Sequence, residues 1–202
     1  MTLNETALFA TQLAMGFALA ATVGLRAFLP LFVAGLLARQ GYVDLGHSFE
    51  WMQGTPALVV FGSALVFEIL ADKVPAVDHA LDAAGVIVKP VAGTLVAAAL
   101  FTHVDPVLAA VLGLIGGGTI AATVHAVKGT TRFFSSVTTG GVGNPILSLV
   151  EDGLAGVGIL AAVLIPVFAA LSVLALVGLG AWLYRRRRTR SDVLPREASY
   201  PR

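Results

Sequence analysis

An all-helical membrane protein of about six spans is the fold class this sequence predicts, and three observations predict it. The first is composition. Of 202 residues, 57% are hydrophobic and 12% charged, with a mean hydropathy of +0.87. That charged share is about half the share usual for a soluble domain. A single soluble core could not hide so much apolar surface, whereas lipid solvates apolar outward faces. The second is segmentation: apolar runs recur at 7–38, 56–71, 84–101, 106–127, 133–150 and 154–184. The third is charge placement. Charges gather at the ends of these runs, and five arginines, Arg185 to Arg188 and Arg190, follow the last.

Each run has its own signature. Run 7–38 lacks the basic leader of a secretory signal and is read as a retained helix. It is long, and Gly24 and Pro30 can break or kink it. Run 56–71 is short and extends into Asp72. Runs 84–101 and 106–127 are of spanning length. Run 133–150 carries Ser135, Ser136, Thr138, Thr139 and GGVGNP at 140–145, which reads as a broken helix or a re-entrant loop. Run 154–184 is long and holds Pro166. Together 1–184 make one transmembrane domain, and 185–202 a basic, disordered tail. The 22 glycines suit close helix packing in a bilayer.

Positive charge orients the chain. Six spans with a cytoplasmic RRRR run place Lys73, Lys128 and Arg132 on the cytoplasmic side and Arg39 outside. Both termini are then cytoplasmic. The halves 7–101 and 106–184 also align weakly: GLRA at 24–27 with GTIA at 118–121, Glu68 with Glu151, and Pro90 with Pro166. Two explanations fit, an inverted repeat of three spans each or chance matching in a Gly- and Ala-rich sequence.

The stretch FEILADKVPAVDHALD, 67–82, is the densest charge in the chain. Glu68 and Asp72 share a helix face, as do Asp78 and Asp82, with Pro75 between the pairs. His125, Lys128 and Arg132 are spaced as a basic stripe on one helix. In the six-span topology the stripe faces the acidic cluster, as a low-dielectric interior requires. A solvated loop is the alternative for Asp78 and Asp82. Arg26 interrupts ATVGLRAFLPLF and cannot shed its charge. It is expected to face the bundle and meet a carboxylate, a broken helix end or an anion, with snorkelling as the alternative. Lys89 reads as a snorkelling residue near a helix start. Asn144, Glu151 and Asp152 either line a polar cavity or serve as caps and a turn.

No enzyme signature stands. GLIGGGT at 113–119 lacks the GK[ST] ending of a phosphate loop, and no GxSxG occurs. The absence of cysteine excludes disulfides, thiol catalysis and cysteine-bound metal. No catalytic residue, metal or cofactor is expected. A net charge of +1 gives no footprint for nucleic acid.

GLRAFLPL, EILADKVPAVDHALD and the glycine-rich helix running into ATVHAVKGTTR resemble, in this order, the family catalogued as domain of unknown function 4126. The resemblance covers about 16–175 and implies a small integral-membrane protein, mostly found in bacteria; it implies no activity. The residues themselves lead to a transporter or channel for a small solute or ion in a bacterial inner membrane. Arg26, Glu68, Asp72, Asp78, Asp82, His125, Lys128, Arg132, Asn144 and Glu151 would line its charged seam. The lipid bilayer is its expected partner, with a homo-oligomer a further possibility. A non-catalytic scaffold that organises lipids or proteins is the alternative.

Overall fold

Leu25 ends the first helix and Phe28 begins the second, so the chain breaks where Arg26 enters. The computed structural model describes residues 3–72, 74–165 and 168. Its elements are α1 (Leu3–Leu25), α2 (Phe28–Arg39), a 3₁₀ turn (His47–Gln53), α3 (Thr55–Ala71), α4 (Pro75–Ala99), α5 (Pro106–Leu112), a π-helical segment (Gly113–Gly118) and α6 (Thr119–Thr139). A last described helix, α7, is Asn144–Ile165. Met1–Ile165 form one compact unit. The region from Pro166 onward, with the basic tail and the end of run 154–184, lies outside the described residues apart from Phe168.

Among the described residues, four helices are long and apolar enough to cross a membrane: Asn4–Leu25, Val77–Ala99, Pro106–Thr139 and Asn144–Ile165. A fifth is reached if the 3₁₀ turn and α3, bent by 63°, count as one span. The outward faces of α3, α4, α6 and α7 expose Val60, Leu70, Ile87, Phe133, Phe134 and Leu160, the surface lipid covers. The chain is therefore a multi-pass membrane protein.

The observed division differs from the sequence pattern in three places. Runs 106–127 and 133–150 are not separate. Helix Pro106–Thr139 is continuous over 34 residues, or about 50 Å at 1.5 Å per residue. It ends where Gly140 and Gly141 take φ of 64° and 88°, a left-handed turn open to glycine. Thus 133–150 holds the end of α6, a turn at 140–143 and the start of α7, which doubles back so that Asn144 meets Ser136 and Glu151 meets Arg132. It is a helical hairpin and not one broken span.

Run 7–38 does not cross once. Gln12 Nε2 donates to Thr102 Oγ1 at 2.6 Å and Phe9 packs on Phe101, so α1 starts beside the C-terminal end of α4. It ends with the Leu25 carbonyl against Lys89 of α4. From there α2 turns back. Phe28 meets Glu68, Arg39 reaches Thr55, and Gly46 donates to Ala99 O at 2.7 Å. The N-terminal end of α1 and the Lys128–Arg132 region therefore lie at opposite ends of α4. That corrects the expected placement of both on one side. The chain reverses at Arg26, whose charge meets Asp72 and Asp152, partners that a straight helix would not reach.

The inverted pairing of first and fourth runs also fails. Gly24 packs on Ala121 and Val124 and Leu25 O accepts from Lys128, while Phe17 packs on Gly116. Ascending numbers meet ascending numbers, so α1 and the Pro106–Thr139 helix run parallel. An inverted repeat would have them antiparallel.

Below the charged residues the bundle is packed through small side chains. A Cβ on Gly93 would stand 2.6 Å from Ala121 Cβ and 2.7 Å from the Gly117 carbonyl oxygen. Backbone meets backbone there, and only glycine permits it. Leu19, Val23, Leu31 and Val96 fill the core around this contact.

Candidate functional site

Arg26 is 1% exposed, the largest of the fully buried side chains. Its guanidinium pairs with Asp72 Oδ2 at 2.5 Å and donates through Nε to Asp152 Oδ1 at 2.6 Å. Nη1 also donates to Glu68 O at 3.4 Å, and Nη2 to Ser148 Oγ at 3.4 Å. The expectation that Arg26 faces the bundle and meets a carboxylate holds.

The chain break around Arg26 leaves two helix ends facing the same layer, and the protein fills both. The free amides of Ala27 and Phe28 donate to Glu68 Oε1 and Oε2 at 2.9 and 3.3 Å. A carboxylate at a helix N-terminus satisfies orphan donors and opposes the dipole. At the other end, Leu25 O accepts from Lys89 Nζ and Lys128 Nζ, each at 3.4 Å. Two ammonium groups thus meet the negative end of α1. Opposite charges sort onto the two sides of one break.

Arg132 is the second hub. Its Nε and Nη2 donate to Glu151 Oε1 and Oε2 at 3.1 and 2.7 Å, a bidentate pair. Its Nη1 contacts Asp78 and lies 3.6 Å from Asp82, while Nη2 is 3.5 Å from Asp72. Lys128 Nζ is 3.2 Å from Glu151 and 4.0 Å from Asp82. His125 Nε2 donates to Asp82 O at 3.0 Å, which leaves Nδ1 to accept from Lys89 at 3.1 Å. His125, Lys128 and Arg132 are buried on one face of α6, the stripe the 3- and 4-residue spacing anticipates.

Three cavities reach this layer. A cleft of about 280 Å³ between α3 and α4 is lined by Glu68, Asp72, Asp82, Lys89 and Lys128 under apolar walls. A vestibule of about 500 Å³ at the bundle end is lined by Asp72, Asp78, His79, Ser136, Asn144 and the 140–142 turn. A third, of about 270 Å³ between α6 and α7, touches Lys128 and Glu151. Asp72 lines both the cleft and the vestibule. Asn144 donates to Ser136 Oγ at 3.0 Å, and its buried Oδ1 has no hydrogen-bond partner among the described residues.

Nine of the ten residues the sequence singles out converge on the ion-pair layer, and Asn144 stands on the vestibule wall. Lys89 was missed. It reads as a snorkelling residue, yet it is 4% exposed and bonded to His125. Its spacing of seven from Asp82, on the same face of α4, is the signal that would have found it. Asp152, for which the sequence leaves a polar cavity or a turn open, stands in the layer on Arg26, and Ser148, which no sequence signal singles out, joins it there.

The fold and the layer define a polytopic α-helical membrane protein with an internal charge network at one end of its bundle. Within that class, a family model described as "Domain of unknown function (DUF4126)" matches residues 13–186, and the chain belongs to that family. The resemblance carried by GLRAFLPL and EILADKVPAVDHALD is thereby borne out. No curated protein and no solved structure matches the chain.

Proposed function

We propose that this protein is a small secondary transporter or channel of a bacterial inner membrane, moving a small solute or ion without a cofactor and without catalysis. One observation carries the reading. An ion-pair layer among apolar spans is reached from the bundle end and from the side by two cavities that share Asp72. Burying charge is costly, and charge at membrane depth commonly marks a pathway. The vestibule supplies an aqueous approach to that layer.

Under this reading the broken α1–α2 tip works as in carriers with discontinuous helices. Its two ends are held by Glu68 on one side and Lys89 and Lys128 on the other. These contacts can exchange as the tip moves. The packed half below the layer closes the pathway in this state, so transport needs a rearrangement of α1 and α2 against α4. By the positive-inside rule, the Lys128–Arg132 end is cytoplasmic. The N-terminal end of α1 is then external.

A second reading has support of its own. Arg26 and Arg132 each meet two or more carboxylates, which suits a scaffold whose charges are internal glue. Flux separates the two. The purified protein in liposomes is tested against protein-free liposomes over a panel of ions and small solutes. Protein-dependent flux of any of them supports transport. No flux across the panel favours the scaffold.

A further inference from the structure

The charge balance of the layer and the shape of the α3–α4 cleft point beyond a generic solute. Among the described residues, six carboxylates of the layer (Glu68, Asp72, Asp78, Asp82, Glu151, Asp152) meet four cationic side chains (Arg26, Lys89, Lys128, Arg132). Five of the carboxylates are closely held: Glu68 by two backbone amides, the others by Arg26 or Arg132. Asp82 is different. It stands 3.6 Å from Arg132 and 4.0 Å from Lys128. Both cations have closer partners, Asp78 and Glu151. The Asp82 side chain is 27% exposed, against 4% for Asp72. The weakly held carboxylate is thus also an open one.

Its surroundings set the chemistry of what it can take. Phe28, Phe67, Leu81 and Val88 make the cleft apolar around Asp82. Lys89 and Lys128, also in the cleft wall, turn their ammonium groups away to Leu25 O, with His125 and Glu151 as their further partners. An anion would meet Glu68, Asp72 and Asp82 together. A bare metal ion lacks a holder, because no group of three or more His, Asp or Glu among the described residues is arranged to bind one. A cation with an apolar body satisfies both features. Its charge offsets Asp82 in a low-dielectric site, and its body covers the walls, with the Phe28 and Phe67 rings available for cation–π contact.

We propose that the α3–α4 cleft binds an organic cation with an apolar body, its charge on Asp82 and its body between α3 and α4. This names a substrate class for the same site and rests on the transport reading for its physiological meaning. Phe67 and Val88 of its lining are exposed on the outward faces of α3 and α4, so the cleft opens at the side of the bundle. Asp72, shared with the vestibule, stands next on the route to the aqueous end.

Radiolabelled benzyltrimethylammonium is the probe, measured by equilibrium dialysis against the full-length protein in lipid nanodiscs. Saturable binding is expected, with neopentylbenzene, the same shape without charge, failing to compete. Asp82→Asn weakens binding at least tenfold, while Asp44→Asn, in an exposed loop, leaves it unchanged. Ala64→Phe, which fills the cleft from α3 without removing a charge, abolishes it. Absence of saturable binding to the unaltered protein, or equal affinity in Asp82→Asn, overturns the proposal. Binding without flux in liposomes keeps this inference and removes the transport reading. Flux of other solutes, with no binding of the probe, does the reverse.

Discussion

At the Phe101 end of α4, helices meet through Gly93, Ala97, Gly113 and Gly117, with no charged side chain buried among the described residues. At the Asp78 end of the same helix, the neighbours meet through Arg26, Lys128, Arg132 and their carboxylates. The first region is held by dispersion and shape, with backbones almost touching. Such contacts have one solution, and an added methyl group meets backbone. The second is held by charges with several alternative partners. Arg132 contacts four carboxylates and Arg26 two, so one pair can loosen while another holds. A region of single fit suits a fixed frame, and a region of exchangeable pairs suits motion and binding.

The largest effect that can break this comparison is all-or-none. Cysteines introduced at Asn4 and Val142, both exposed, should label with an impermeant reagent from opposite sides of the membrane. Labelling from one side would mean that the two regions do not lie at opposite ends of the bundle.

Next comes the hub of the charged end. Arg132→Gln leaves Asp78 and Glu151 buried without their main partner and is expected to cost about 3–5 kcal/mol. Denaturant-induced unfolding in mixed micelles would show it as a strongly lowered midpoint. A shift near zero would mean that the layer is well solvated and the ion pairs inessential.

Close behind is the frame. Gly117→Leu drives a side chain against Ala97 Cβ, 2.6 Å from an ideal Cβ, and against the Gly93 carbonyl. Overpacking of this kind costs about 3 kcal/mol, the upper end of its usual range. The same unfolding assay should rank it near Arg132→Gln. Wild-type stability would show that α4 and the π-helical segment are farther apart.

The smallest effect sharpens the contrast. Asp105 caps α5 by accepting from Val107 N and Leu108 N at 2.9 and 3.3 Å. It is exposed and far from the layer, so Asp105→Ala should cost about 1 kcal/mol and leave ligand binding and flux unchanged. A change in flux without a larger loss of stability would mean that the two regions are coupled.

Much of the charged end was legible in the sequence. An arginine inside ATVGLRAFLPLF has few stable options in lipid, and burial against carboxylates is one of them. Spacings of three and four placed Lys128 and Arg132 on one face. The path of the chain was less legible, because hydropathy gives the length of apolar runs and not their direction. Run 7–38 reads as one span, yet it reverses at Arg26, where Glu68 supplies the cap that α2 needs from 41 residues away. Gly140 and Gly141 marked a break but not that Phe133 and Phe134 continue α6. Lys89 escaped because snorkelling and burial share one local pattern, and only His125 on another helix decides between them.

The central claim is that the charged layer is a working site rather than glue, and Asp72 tests it most directly. Asp72→Asn keeps the shape and a hydrogen-bond acceptor for Ser148. Arg26 retains Asp152, and Arg132 retains Asp78 and Glu151, so stability should fall by only about 1–2 kcal/mol. Flux in liposomes and unfolding would be measured on the same preparation. The account predicts at least a tenfold loss of flux from a folded variant. Undiminished flux, or a loss matched by unfolding of the protein, would contradict it.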